Sequence, residues 1–255
     1  MAKRWLTAVG SYCLAGMFLL TVWEMASILL QTPMLPSPVM VFKSIPRLWG
    51  NTLQLHVWIS AYRVLASLAI SMLIAVPFGL IMGFEKTVDR FLAPIVYLTY
   101  PIPKIVFLPL VLLFLGLGDH SKIFLITFIV SYQILVTTRD AVRKVVPEAI
   151  HSLRSLGASR LQIYRYLLLP SCLPDVLTAL RLSLGTAVSV LFFVETFATT
   201  EGLGYFIMNA WSRAASDEMF AGIIMMGLLG IVLFLLVDLL ERIFVRWRRL
   251  IQREN

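Results

Sequence analysis

The chain has 255 residues, of which 59% are apolar and only 14% charged, with a mean hydropathy of +0.87. A soluble domain is nearer half apolar and about a quarter charged, so this balance excludes an ordinary soluble enzyme and indicates a polytopic membrane protein. The net charge of +8 does not point to nucleic acid, because the lysines and arginines cluster beside apolar runs, where they set topology.

A helix needs about twenty apolar residues to cross roughly 30 Å of hydrocarbon, and six stretches are expected to do so. The first covers Leu6 to Leu30, too long and without the small-residue cleavage site of a removable signal. A proline-rich segment from Thr32 to Asn51, a loop with room for a short surface helix, precedes the second span, Trp58 to Phe84, in which Pro77 and Gly79 predict a kink. The third span, Phe91 to Leu115, is interrupted by Pro94, Pro101, Pro103 and Pro109 around Lys104. Such a break frees backbone carbonyls that lipid cannot satisfy, so it must face protein or a water-filled cavity. Ile123 to Thr138 is the fourth span, Asp175 to Phe197 the fifth and Met219 to Ile243 the sixth. Cys13 and Cys172 read as free packing thiols, not a disulfide framework.

Orientation follows from the basic residues. Lys3, Arg4, Lys86, Arg90, the group from Arg139 to Arg165 and the group from Arg242 to Arg253 fall on one side. Lys43, Arg47, Arg63, Lys122 and Arg213 fall on the other. The excess places the first set, and both termini, in the cytoplasm.

No nucleotide, metal or nucleophile site stands out. The run Gly116 to Lys122 has glycines and a lysine but not the Gly-Lys-Ser/Thr ending that cradles phosphate. His56, His120 and His151 are scattered. The expectation is a non-enzyme that binds no cofactor itself. What remains are polar groups inside apolar spans, which usually face a cavity or a partner: Lys104 in the broken third span, and Arg181, Thr186 and Glu195 on the fifth. Arg181 and Glu195 are fourteen residues apart, about four helical turns, hence on one face. These four are the candidate lining of a solute path, the alternative being snorkelling or pairing with neighbouring carbonyls.

The one long polar interruption runs from Arg139 to Pro174. Pro147 followed by Glu148 is a helix start. Val146, Ala149, Ile150, Leu153 and Leu156 form one apolar stripe, with His151, Ser152, Arg154 and Ser155 on the rest. Gly157 ends this helix in the left-handed conformation, and after Ala158 a capping box of Ser159 and Gln162 opens another. The second helix is expected to run through Leu167 until Pro170 and Pro174 stop it.

Gly157, nine residues, then Leu167-Leu168-Leu169-Pro170 resembles the cytoplasmic signature of permease subunits of binding-protein-dependent ABC importers. The Glu-Ala-Ala positions of that signature hold His151, Ser152 and Leu153, with Glu148 one turn earlier, so either His151 or Glu148 stands in for the motif glutamate. Pro101-Ile102-Pro103 with Leu108-Pro109-Leu110 and Gly116-Leu117-Gly118, and Glu195 followed by Gly202-Leu203-Gly204-Tyr205, are similar to permeases for sulfonate, taurine, nitrate and thiamine-precursor uptake.

The resemblance implies an all-α membrane protein with the type I permease fold of ABC importers. Residues 1–255 would be a single domain, with a core at about 58–245 and a coupling region at about 139–170 between spans four and five. It further implies a bacterial inner-membrane location and a homodimer of permeases. Two ATPase subunits would bind ATP and Mg²⁺ and dock on Glu148, His151, Leu153, Leu156, Gly157, Ala158, Ser159 and Pro170. A periplasmic or lipid-anchored binding protein would deliver a small anionic or zwitterionic solute. A carrier or channel that works without ATP is the alternative.

Overall fold

The computed structural model describes residues 2–197 and 199–245, with side chains described from Gly10 on except those of residues 12 and 13. Cys13 and the basic group beyond Val245 therefore lie outside the described side chains. Every regular element among the described residues is helical. Helix α1 is Ala2–Leu30, α2 is Pro38–Leu48 and α3 is Gln54–Phe84. Next come α4 (Lys86–Thr99), α5 (Leu108–Leu115) and α6 (Asp119–Arg143). A short pair, α7 (Pro147–Ser155) and α8 (Arg160–Ile163), leads to α9 (Leu169–Thr196), α10 (Leu203–Ser212) and α11 (Ser216–Phe244).

Four helical runs are long and apolar enough to cross a bilayer: Pro38–Phe84, Asp119–Arg143, Arg160–Thr196 and Ser216–Phe244. The pair Lys86–Thr99 and Lys104–Leu115, bent by 85° at the expected proline break, makes a fifth when counted as one span, so the described residues give four or five crossings where six were expected. The first expected span corresponds to a shorter apolar stretch, Leu14–Leu30, within α1. Its end is held by the Trp23 indole, which donates to the Pro36 carbonyl at 3.1 Å and stacks on Phe220 at 5.3 Å.

Continuous helix crosses two of the expected boundaries. Pro170 and Pro174 do not stop the helix that begins at Arg160. A wide π turn over Tyr164–Leu168 ends with the Leu169 N–H on the Tyr164 carbonyl. Pro170 thus enters the first turn of α9, where a missing N–H is not required. Pro174 lies inside α9, and its own carbonyl accepts the Thr178 hydroxyl at 2.9 Å. Likewise α3 does not start afresh at Trp58. A π turn over Trp49–Leu53 joins it to α2.

Helix α6 is the centre of the bundle, with α3 on one side and α9 on the other. The α3–α6 seam follows from a small residue at every fourth position of α3: Ser67, Ser71, Ala75, Gly79 and Gly83. Small residues let two backbones approach without a hydrophobic drive, which lipid does not provide. Ser67 and Ser71 donate to the Ile123 and Thr127 carbonyls, each at 3.2 Å, and Thr127 returns a bond to the Ser67 carbonyl at 3.3 Å. Further along, a β-carbon at Gly79 would lie 2.7 Å from Thr138 Cβ, and one at Gly83 would lie 2.5 Å from Val142 Cβ. The seam admits glycine alone there.

Candidate functional site

One end of the bundle carries the α7–α8 elbow. Pro147 occupies the first turn of α7 with Glu148 beside it, and Val146 before them is extended. Gly157 has φ +79°, and its N–H donates to the Arg154 carbonyl at 2.9 Å while the Ala158 N–H reaches the Leu153 carbonyl at 3.0 Å. That pair of bonds is a Schellman ending. Ser159 then caps α8: its hydroxyl accepts from the Gln162 N–H at 3.3 Å and its own N–H donates to Gln162 Oε1 at 2.7 Å. The elbow is rigid by its local chemistry and bare by its surface. No residue of α7 is buried, and Leu156 and Leu161 are 83% and 74% exposed. Val146 and Tyr166 are exposed as well, as are Glu148 and His151.

The elbow is tied to the α3–α4 corner. Arg160 donates to Glu85 at 3.3 Å, Tyr164 meets the Phe84 ring edge-on at 5.3 Å, and the Arg154 guanidinium sits over Phe84. Next to this corner, Asp89 of α4 accepts from both Arg139 and Arg143 of α6, and Arg139 also donates to the Tyr97 hydroxyl at 3.0 Å. Two arginines one turn apart on α6 share this carboxylate and fasten α4 to the helix that runs into α7. These pairs were not anticipated, although an acid amid Lys86, Arg90, Arg139 and Arg143 was a signal for them.

The opposite end holds a buried polar network around Glu195. Its carboxylate accepts Arg63 Nη1 at 2.7 Å, the Ser60 hydroxyl at 2.8 Å and the Gly204 N–H at 2.9 Å, and the side chain is fully buried. Arg63 goes on to Asp119 at 2.8 Å through Nε and to the Glu201 carbonyl at 2.9 Å. The Leu203 N–H donates to Ser60 Oγ at 2.8 Å, and the Gly202 N–H to His56 Nδ1 at 3.1 Å, so that nitrogen carries no proton. Helix α10 has no cap from its own sequence. Its first N–H groups are satisfied by α3 and α9 instead.

Gly202 and Gly204 are what permit this approach. A β-carbon on Gly202, whose φ is +110°, would fall 2.3 Å from the Glu195 carboxyl carbon, and one on Gly204 would fall 2.7 Å from Glu195 Cβ. Arg63 and Lys122, assigned from the sequence to the outer side, are 2% and 1% exposed at this end of the bundle. Arg63 lies one turn from Ser60 in an otherwise apolar run, the one trace of this network that the sequence carried.

The four residues expected on a path stand in separate contacts. Glu195 belongs to the network just described. Arg181 pairs with Asp238 and Glu241 of α11, over the Phe234 ring. Thr186 accepts from Gln133 at 3.5 Å, between α9 and α6. Lys104 sits at the break between α4 and α5.

The family described as "Binding-protein-dependent transport system inner membrane component" matches residues 75–250. The chain is 34% identical over 242 residues to the taurine transport system permease protein TauC of Escherichia coli (strain K12), covering 92% of this chain and 88% of that one. It is 27% identical over 234 residues to the formylaminopyrimidine transport permease protein ThiX of Halalkalibacterium halodurans, with 91% and 94% covered. Among solved structures it resembles an inward-facing MetNI methionine ABC transporter, with a TM-score of 0.66 and 21% identity, over 74% of this chain and 94% of that one. The chain belongs to this family of inner membrane transport components, and its fold is that of an ABC importer permease.

Proposed function

We propose that the chain is the membrane-spanning subunit of an ATP-driven importer that moves a small anionic or zwitterionic solute into the cytoplasm by alternating access. The observation that carries this reading is the elbow: a rigid two-helix projection with Leu156 and Leu161 uncovered, on a chain of a binding-protein-dependent transport family. Apolar side chains on a structured projection indicate a protein partner. The partner is an ATPase subunit, one on each of two permease copies, and it supplies the ATP and Mg²⁺ chemistry. Glu148 and His151 lie on the docking surface, with Leu153, Ala158 and Ser159 shaping it and Pro170 at its base.

The elbow and both termini face the cytoplasm, by the distribution of lysines and arginines, and the membrane is the bacterial inner membrane. Closure of the ATPases displaces the elbow. Arg160–Glu85 and the Asp89 clamp pass that displacement to α4, whose far end is the 85° break. Lys104, Arg181, Thr186 and Glu195 mark the polar points of the moving spans. A binding protein docks on the opposite side, near α10, and sets most of the selectivity. Taurine and formylaminopyrimidine in the names of relatives support a solute of the sulfonate or thiamine-precursor kind. A carrier that works without ATP gains no support from those relatives.

The test is a disulfide or bifunctional crosslink from Leu156→Cys in native membranes, followed by mass spectrometry of the attached chain. An ATPase subunit is expected at Leu156→Cys and absent at a lipid-facing control such as Leu73→Cys. A crosslink-free elbow, in membranes where a control importer crosslinks, would overturn the reading.

A further inference from the structure

Three arginines within the helical spans are paired with carboxylates: Arg63 with Asp119 and Glu195, Arg139 with Asp89, Arg181 with Asp238 and Glu241. Lys122 has no carboxylate within ion-pair distance among the described residues, but it is 1% exposed and closed over the Leu117 and Gly118 carbonyls at 2.7 and 3.3 Å. Lys104 is placed differently. It is half-buried at the 85° break, and its ammonium donates to the Thr99 and Tyr100 carbonyls, both at 3.3 Å. It lies 4.0 Å from the Tyr132 ring centroid and 5.5 Å from that of Tyr100. No carboxylate stands within ion-pair distance among the described residues.

An ammonium has three donors. Two are engaged at 3.3 Å, just beyond the usual range for such bonds, and the third has no hydrogen-bond acceptor among the described residues. The ammonium can therefore be re-aimed by a small rotation while the aromatic faces continue to hold its charge.

A ridge of rings on α6 ends beside it, at Tyr132. His120, Phe124, Phe128 and Tyr132 follow one another at every turn of α6. Phe124 stacks on Phe128 at 6.1 Å and Phe128 meets Tyr132 edge-on at 5.5 Å. Two grooves of about 370 Å³ flank this ridge, one against α5 with Phe107 and Phe114, the other against α3 with Ile70 and Ile74.

We infer that Lys104 is a direct contact for the anionic group of the solute in transit, with Phe128 and Tyr132 as the wall for its apolar part. The inference rests on the importer reading and specifies the ligand as a small amphipathic anion. Weak holding suits a transit site, because a solute bound tightly would not leave.

Two measurements on the permease purified with its partners in nanodiscs test it. In the first, Lys104 is acetylated with N-hydroxysuccinimidyl acetate and followed by peptide mass spectrometry. At matched ionic strength, ethanesulfonate is expected to slow the reaction at Lys104 several-fold relative to uncharged ethanesulfonamide, while exposed Lys43 reacts equally in both. Equal rates at Lys104 would overturn the inference.

In the second, uptake of taurine and ethanesulfonate is compared in Lys104→Arg and Lys104→Gln. Both variants can still donate to the Thr99 and Tyr100 carbonyls, but only arginine keeps the charge. Lys104→Gln is expected to raise KM by roughly tenfold or more, the loss a charge-assisted hydrogen bond carries, and Lys104→Arg far less. Equal uptake by the two variants would assign Lys104 to capping those carbonyls alone. Should the unaltered complex take up neither probe, the solute class proposed above falls, and the acetylation comparison still decides the anion contact.

Discussion

Arg63 and Glu195 are 132 positions apart in sequence and meet as a buried ion pair at 2.7 Å, with 2% and 0% of their side chains exposed. The pair joins α3 to α9 and, through the Gly204 N–H, to α10. Removing Glu195 leaves the buried Arg63 guanidinium with the half-exposed Asp119 as its one carboxylate, which costs up to about 3–5 kcal/mol. Glu195→Gln is therefore expected to lower the stability of the purified permease by that order, read from its denaturant midpoint. Adding Arg63→Met should recover part of the loss. An unchanged midpoint in Glu195→Gln would contradict the assignment of this pair as the tie between these helices.

The same network predicts the effect of a single methyl group. At Gly204 a β-carbon would press on Glu195 Cβ and the Phe192 carbonyl, both at 2.7 Å. Overpacking of this kind costs roughly 1–3 kcal/mol. Gly204→Ala should destabilise, whereas Gly227→Ala on α11, with nothing within 4 Å, should not. Equal midpoints for the two variants would show that α10 yields freely.

At the seam between α3 and α6, Gly79→Leu and Gly83→Val are expected to be more severe, because Leu135 and Arg139 present backbone carbonyls 2.8 Å from the new β-carbons. Backbone cannot swing aside as a side chain can. Expression of folded permease, measured by size-exclusion of detergent extracts, should fall strongly for both and only slightly for Gly185→Ala on α9.

Coupling is tested at Asp89. Asparagine there keeps one acceptor and loses the charge that holds both Arg139 and Arg143. The expected outcome is ATP hydrolysis close to normal with less solute moved per ATP, by roughly threefold to tenfold if the net loss is that of one ordinary hydrogen bond. A full transport ratio in Asp89→Asn would take the clamp out of the transmission path.

Gly157→Val probes the elbow. Gly157 has φ +79° with open space around it, so the substitution strains the backbone without a clash, by on the order of 1–3 kcal/mol. Retention of the ATPase subunit during purification should weaken while the rest of the bundle keeps its denaturant midpoint. Undiminished retention would mean that the left-handed turn does not shape the docking surface.

How much of this was legible follows from the range of the interactions. The elbow was readable almost bond by bond, because Pro147, Gly157, Ser159 and Gln162 act on neighbours within five residues. The break around Lys104 was readable from its prolines. Arg63 was not: an arginine near a span's end reads as a topology signal, and the acids that neutralise it come from Asp119 and Glu195, far along the chain. The proline stop failed for a related reason. Pro170 reads as a terminator only if the preceding turn is an ordinary α turn, and the π turn over Tyr164–Leu168 is not visible in residue type. The stripe Ser67, Ser71, Ala75, Gly79, Gly83 was present in the sequence as a four-residue period and marks which face of α3 meets α6.

The borrowed start of α10 has a consequence for how the molecule is assembled. Its amides are matched by His56, Ser60 and Glu195, two of them made early in translation and lodged in the membrane before Leu203 leaves the ribosome. The early segment is thus a template that waits for the late one. Severed in the loop between α6 and α7, the chain should yield two pieces that accumulate when made together. The C-terminal piece made alone would carry a bare carboxylate and orphaned amides into lipid, and the cell's quality-control proteases should clear it.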